Sequence, residues 1–391
     1  MFRFLFITVC LVFFRTGYAE HGKTGFSWPG NGPPVLFEIK GLGNGYSSPA
    51  VTGDRLYITG ESDSTGYLFA FDLDGKLLWK TSYGEEWTIQ FPGPHSDPAV
   101  VNDLIYISSG TGNIICFQTD NGKKVWSVSL INDLGGINPT FGYSMPLVFD
   151  GDKLFCSPGG ETNNVVALNR FTGKLIWSSP AKGETAGYGS PLLITLPVRK
   201  ILVTASEFNI MGFDAGNGEL LWTYELTFKG EVPCNTPLFD GTNLTWIAGP
   251  GNGAVAAQLS PDGKEIHVLW KNIGFDTFFG DFVRNGDYLF GSSNALHNYV
   301  SVDARTGKIS DSLSFGIGSA ILAGKMLIAY NQKGQVGLIR CDREKMALVS
   351  SFRVSKGTKE HFSHPVYSGG KLYIRHGDVL LAYTIHSGEE N

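Results

Sequence analysis

Asp72-Leu73-Asp74-Gly75-Lys76-Leu77-Leu78-Trp79 is the stretch on which the fold turns. It returns as Thr119-Asp120-Asn121-Gly122-Lys123-Lys124-Val125-Trp126 and as Arg170-Phe171-Thr172-Gly173-Lys174-Leu175-Ile176-Trp177. Asp214 to Trp222 is a fourth copy, and Asp262-Gly263-Lys264 leads to Trp270. Asp303 to Lys308 keeps the turn and loses the Trp, while Asp342 to Met346 keeps only the outline. An Asp or Asn at the start can accept backbone N–H groups of a turn, and Gly supplies the positive φ that closes a hairpin. The Trp then lies on the returning strand, where its flat ring can pack on a neighbouring sheet.

A second phrase, Ser-(x)-Pro followed by a polar turn and an alternating apolar strand, recurs between these turns. It begins at Ser48-Pro49, Ser96-Asp97-Pro98, Ser144-Met145-Pro146, Ser190-Pro191, Thr236-Pro237 and Ser363-His364-Pro365. Degenerate copies stand at Phe282-Val283 and Ser319-Ala320-Ile321, making eight. From Pro49 to Pro365 the period is about 45 residues, enough for four short strands, the content of one propeller blade. The last period holds only three strands, and Val35 to Ile39 offers the fourth, with Phe37 near the Trp position. The expectation is an all-β, eight-bladed β-propeller with four antiparallel strands per blade, its N-terminal strand closing the last blade.

Composition agrees: of 391 residues 51 are Gly and 13% are aromatic, as suits many strands and tight turns. The formal net charge is −5 with no Lys/Arg cluster, so nucleic acid is not an expected partner. Arg3, the apolar run Phe4 to Phe14 and Gly17-Tyr18-Ala19 read as an export signal cleaved after Ala19. This places the chain in the periplasm or outside the cell. The domain reading is therefore signal 1–19, lead-in 20–34 and a single propeller over 35–388, a monomer with no membrane span after cleavage. Cys116, Cys156, Cys234 and Cys341 remain; their wide spacing favours separate thiols over disulfides.

At both phrases the chain resembles the PQQ-like repeat propellers, a family that includes quinoprotein alcohol dehydrogenases and the propeller lipoprotein of the outer-membrane assembly machinery. It looks closest to stand-alone exported members, through Gly45 to Pro49, Phe141 to Pro146, Cys156 to Gly160 and Leu372 to Asp378. The resemblance implies two routes to function. A dehydrogenase would hold PQQ with Ca²⁺ beneath adjacent cysteines, over a Trp floor and beside an Asp base. This chain has no adjacent cysteines and is shorter. An envelope-assembly subunit would instead bind protein. There is no G-x-S-x-G elbow, no HExxH and no Walker lysine after Gly249 to Gly253. No cofactor and no metal is therefore assigned, with PQQ and Ca²⁺ kept as the alternative.

The candidate site follows from position. Loops entering the innermost strands, and loops joining second to third strands, share one face around the central channel. Entry positions read Tyr46, His95, Tyr143, Tyr188, Asn235, Phe279, Ile317 and His361 to His364. The other loops add Glu161 and His376, and the long loop Tyr83 to Pro94 adds Trp87 as an exposed aromatic. These residues either wall a site for a small molecule, glycan or protein, or lock neighbouring blades together. His361 and His364 could form a metal or acid–base pair only with a third ligand. The leading expectation is a non-catalytic binding scaffold using this face.

Overall fold

A computed structural model describes residues 26–228, 233–278 and 280–387 of the chain. The export signal read at residues 1–19 lies outside the described residues, as does Phe279. Eight four-stranded antiparallel sheets form an eight-bladed β-propeller. The first blade comprises Ala50–Thr52, Arg55–Ser62, Thr65–Asp72 and Leu77–Glu85, running outward from the channel. The eighth comprises Val366–Ser368, Lys371–His376 and Val379–Thr384, completed on its outer edge by Val35–Ile39. Phe37 pairs with Ala382, so the expected closure by the N-terminal strand is present. Among the described residues no helix is long and apolar enough to cross a membrane.

Alternation along each second strand buries both faces, which fixes register. In Arg55–Ser62, Leu56 and Ile58 enter the apolar cluster shared with the eighth blade, while Tyr57 enters the cluster shared with the second. Eight such clusters occupy the eight seams between blades. Among the described residues the core is a ring of seams.

The turn-and-Trp phrase builds these seams across blades. The Trp of one blade lies on the glycine of the next blade's turn. A Cβ on Gly122 would stand 2.6 Å from Trp79, one on Gly173 2.8 Å from Trp126, and one on Gly218 2.5 Å from Trp177. Trp79, Trp126, Trp177 and Trp270 each donate Nε1–H to a carbonyl of that turn, at 3.2, 2.9, 3.2 and 2.9 Å. The glycines sit at φ between 68° and 84°, so they are required twice over, by conformation and by contact. The leading Asp also behaves as expected: Asp72 Oδ1 accepts from the backbone N–H of Asp74 and Lys76.

Seams without this pair use substitutes. Phe37 takes the Trp role against Gly75 where the ring closes. Asp311, which pairs with Ser301 at the Trp register, accepts the N–H of Met346 from the seventh blade's turn at 2.8 Å. Trp28, from the segment read as a lead-in, is buried between blades seven and eight and meets Phe352 edge to face. Trp222 keeps its place, but its buried Nε1 has no acceptor. Every outer strand also carries a bulge at this register, for instance at Lys124/Trp126 and Val35/Phe37. Bulges increase local twist and blunt the exposed edge.

Cys116, Cys156, Cys234 and Cys341 are not disulfide-bonded, and the first, second and fourth are buried. Burial pushes the Cys156 thiol up to about 12, so it behaves as a small hydrophobe.

Two substitutions separate the parts of the seam. Gly218→Ala should destabilise by roughly 2–4 kcal/mol, combining positive-φ strain with overpacking against Trp177. Trp177→Phe loses a seam hydrogen bond and should cost about 1–2 kcal/mol more than Trp222→Phe, which removes a donor that has none. Urea midpoints of the three variants check the order.

Candidate functional site

The entry loops are held by the blade that follows. Tyr46 and Ser47 donate backbone N–H groups to Pro94 O, and Tyr188 and Gly189 donate to Pro233 O in the same way. One rung deeper, three of the residues that precede an inner-strand proline repeat the device with side chains. Ser48 N–H donates to Asp97 Oδ1 at 2.6 Å, Thr236 N–H to Asp281 Oδ1 at 2.8 Å, and His364 N–H to Ser48 Oγ at 3.1 Å.

These two rungs enclose a cavity of about 450 Å³ at the channel mouth. Its wall is aromatic: Tyr46, Phe91, Phe141, Tyr188, Phe278 and Phe362. Its floor is polar, with Ser48, Asp97, Ser190, Thr236, Asp281 and His364. The wall rings touch one another in series. Phe362 lies 5.7 Å from Tyr46 and 5.6 Å from Phe91; Phe91 reaches Phe141 at 6.1 Å, and Phe141 reaches Tyr188 at 6.0 Å. Phe91 is 40% exposed and held at φ 52°, and Asp281 is also at φ 52°. Left-handed backbone at a bulky residue is costly, and such strain concentrates where ligands are gripped.

Of the residues singled out in the sequence, Tyr46, His95, Tyr188 and His364 line this cavity. Tyr46 donates its hydroxyl to Glu360 at 2.5 Å, and burial raises its pKa. Tyr188 accepts the N–H of Phe141 at 3.0 Å. His95 lies 2.7 Å from Phe91 O through Nε2, and burial lowers its pKa. His364 Nδ1 stands 3.8 Å from Asp281 Oδ2.

The other six are placed elsewhere. Trp87 is buried rather than exposed, with Nε1 on Gln90 O and its ring packed beside Gly142. Tyr143 points away because its own N–H bonds Gly110 O, the long preceding loop having changed the local register; its hydroxyl donates to Pro158 O, and Phe141 takes the wall position. Asn235 is a buried latch, donating to Thr277 O and accepting from Asp281 N–H. Glu161 is exposed on its loop. His361 and His376 stack at 3.7 Å beside the cavity, outside its lining. His376 spans Lys356 O and Lys359 O, and His361 Nδ1 meets the Tyr330 hydroxyl. Among the described residues no three His, Cys, Asp or Glu side chains are grouped to hold a metal ion.

Asp97, Asp281, Phe91, Phe141, Phe278 and Phe362 carry the cavity without having been singled out. The phrase carried a signal for two of them: Asp97 stands directly before Pro98, and Phe362 stands two places before His364, itself next to Pro365. Arg375 was also passed over. It is fully buried at the closing seam, donating to Ser47 Oγ at 2.7 Å, Thr59 O at 2.7 Å and Gly377 O at 2.9 Å. Burial lowers its pKa to about 9, yet the cost is offset by this shell of backbone acceptors.

A closed ring of eight four-stranded blades, sealed by the strand Val35–Ile39 and open to a loop-lined cavity, is the PQQ-like repeat architecture. The model of that family described as outer membrane protein assembly factor BamB matches residues 64–313, and the chain belongs to this family. Outer membrane protein assembly factor BamB of Burkholderia pseudomallei is 26% identical over 69% of this chain and 68% of its own length. Quinoprotein alcohol dehydrogenase PedH of Pseudomonas putida is also 26% identical, over 56% of this chain but only 39% of its own length. The crystal structure of BamB from Moraxella catarrhalis superposes with a TM-score of 0.65 at 13% identity, covering 92% of this chain and 99% of that one. That likeness is one of fold.

The stacked histidines carry a pH signature. Burial, then the charges of His376 and Arg353, lower His361 to about 4, against about 6.5 in an unfolded chain. Between these values the unfolded chain binds the proton first, so stability is full above pH 6.5 and is lost as pH falls towards 4. A His361→Gln variant should show a flatter urea midpoint across that window than the parent.

Proposed function

We propose that this chain is an exported binding scaffold whose ligand seat is the aromatic-walled cavity at the channel mouth. The supporting observation is a cavity of about 450 Å³ that carries on its lining Phe91, a bulky residue held at φ 52°. Pockets of this size suit small ligands, and an apolar wall above a few convergent polar groups is their usual form. The seam residues around it are committed to joining blades, which makes the frame rigid and leaves the lining to discriminate.

The cofactor of the dehydrogenase relatives does not fit these residues. PQQ is a planar tricarboxylate, and an anion of that kind needs cationic or amide donors. Among the described residues the lining holds two carboxyl groups and no Lys, Arg, Asn or Gln. Arg375 spends its hydrogen bonds on backbone carbonyls and on Ser47. No adjacent cysteines occur, and no Trp lines the cavity. Mixing purified protein with PQQ and Ca²⁺ should give neither a quinone absorbance shift nor dye reduction with alcohols or sugars. Sustained dye reduction would replace the scaffold reading with a dehydrogenase. The family match to an assembly factor favours a second reading, a protein-binding subunit of the envelope. It predicts recovery of the tagged chain in an outer-membrane complex after mild crosslinking, and recovery of the chain alone would remove it.

A further inference from the structure

We infer that the channel-mouth cavity selects a compact organic cation, a quaternary or protonated amine, held by its aromatic wall and by the carboxyl groups of Asp97 and Asp281. This rests on the reading of the cavity as the ligand seat and adds the chemical class that the seat accepts.

Charge and placement make the first argument. Asp97 belongs to the second blade and Asp281 to the sixth, so in an eight-bladed ring they stand on opposite walls of the channel. A ligand on the axis therefore meets a carboxyl group from either side. Glu360 adds a third at the rim, tied to the wall through the Tyr46 hydroxyl. Among the described residues the lining contains no Lys or Arg, and burial lowers the pKa of His95, which favours its neutral ring. Arg375 sits behind Tyr46, turned towards the backbone of the closing seam. Among the described lining residues the imidazole beside a carboxyl group is His364, whose Nδ1 stands 3.8 Å from Asp281 Oδ2.

The wall makes the second argument. Four of the six wall rings are Phe, and the two tyrosines have their hydroxyls engaged by Glu360 and by Phe141 N–H. A wall of this kind offers few hydrogen bonds to the hydroxyls of a sugar. What it offers is π density. Neighbouring rings are inclined to one another, from 36° for Tyr46 against Phe362 to 80° for Tyr46 against Phe91, so they present faces in different directions. A concave set of ring faces attracts a cation through their quadrupoles, and quaternary ammonium groups are bound in such aromatic cages.

The carboxyl groups are also fixed in advance. Asp97 and Asp281 each give one oxygen, Oδ1, to a neighbouring blade's N–H. The ring-closing hydrogen bonds therefore orient the acids before any ligand arrives, which lowers the ordering cost of binding. The same arrangement supplies a clean variant. Asparagine retains a carbonyl oxygen for the backbone N–H and removes the charge.

The test compares choline with 3,3-dimethylbutan-1-ol, its neutral carbon isostere, titrated into the full mature chain and followed by calorimetry. Choline should bind about ten-fold or more tightly than the alcohol. Asp97→Asn and Asp281→Asn should each weaken choline by about five-fold or more and leave the alcohol unchanged, with urea midpoints close to the parent's. Phe91→Ala should weaken choline as well. Equal affinity for the two probes, or choline binding indifferent to both Asn variants, overturns the selection for cations while leaving the cavity as a seat. Failure of both probes to bind at concentrations up to about 10 mM overturns the seat and the cation together.

Discussion

The contact on which this molecule depends is a tryptophan laid on a glycine one blade away. A four-stranded sheet of about twenty strand residues cannot bury enough surface to fold by itself, so stability has to come from seams. The Trp ring supplies apolar area and its Nε1–H ties that area to a defined carbonyl, as with Trp126 and Arg170 O. The glycine must be glycine because its φ is positive and because its missing side chain is the space the ring occupies. Truncating such a buried aromatic costs about 3–5 kcal/mol in other proteins, a large share of a typical net stability.

A closed ring has no terminal repeat to cap, but it must join its two ends. Here the joint between the eighth and first blades repeats the device with Phe37 on Gly75, and the N-terminal strand makes the ladder continuous. The weaker repeats lie just before that joint, in blades six and seven. Their seams are mended locally, by Asp311 in one case and by Trp28 in the other. Arg375 completes the joint from inside. Its guanidinium ties the eighth blade's second strand to Ser47 and Thr59 of the first, and Gly45 leaves room for it, since a Cβ there would stand 2.6 Å from Nη2. Removing one partner from so buried a charge costs more than the charge contributes in place.

The fold was legible because both repeated phrases carry their own physics: a turn that needs glycine, a strand that alternates, a Trp that needs a neighbour. Blade number and closure followed from counting. The bulge before each Trp was not legible, since nothing in Lys124-Val125-Trp126 distinguishes a bulged strand from a regular one. The cavity lies on the face read from the sequence, and its lining includes only some of the residues read there. Tyr46 and Tyr188 were found because their loops follow the repeat. Tyr143 was misplaced because the loop from Ile131 to Phe141 shifts the wall position to Phe141 while sequence spacing to the proline stays the same. Trp87 was read as exposed because its loop is long; its indole instead fills the space beneath that loop.

The cavity and the frame are made from the same residues, and this limits how the site can vary. Three floor residues hold a neighbour's backbone through one atom, so substitutions that keep an acceptor there preserve the ring whatever they do to the charge. Ser48, Asp97 and Asp281 all meet that condition, with a hydroxyl in one blade and a carboxyl in two. Wall residues are under weaker constraint, since Tyr, His and Phe all occur at equivalent places around the rim. The lining of the cavity can therefore change without a change in the seams. The family match accordingly identifies the frame, while the electrostatic character of the cavity has to be read from Asp97, Asp281 and the rings above them.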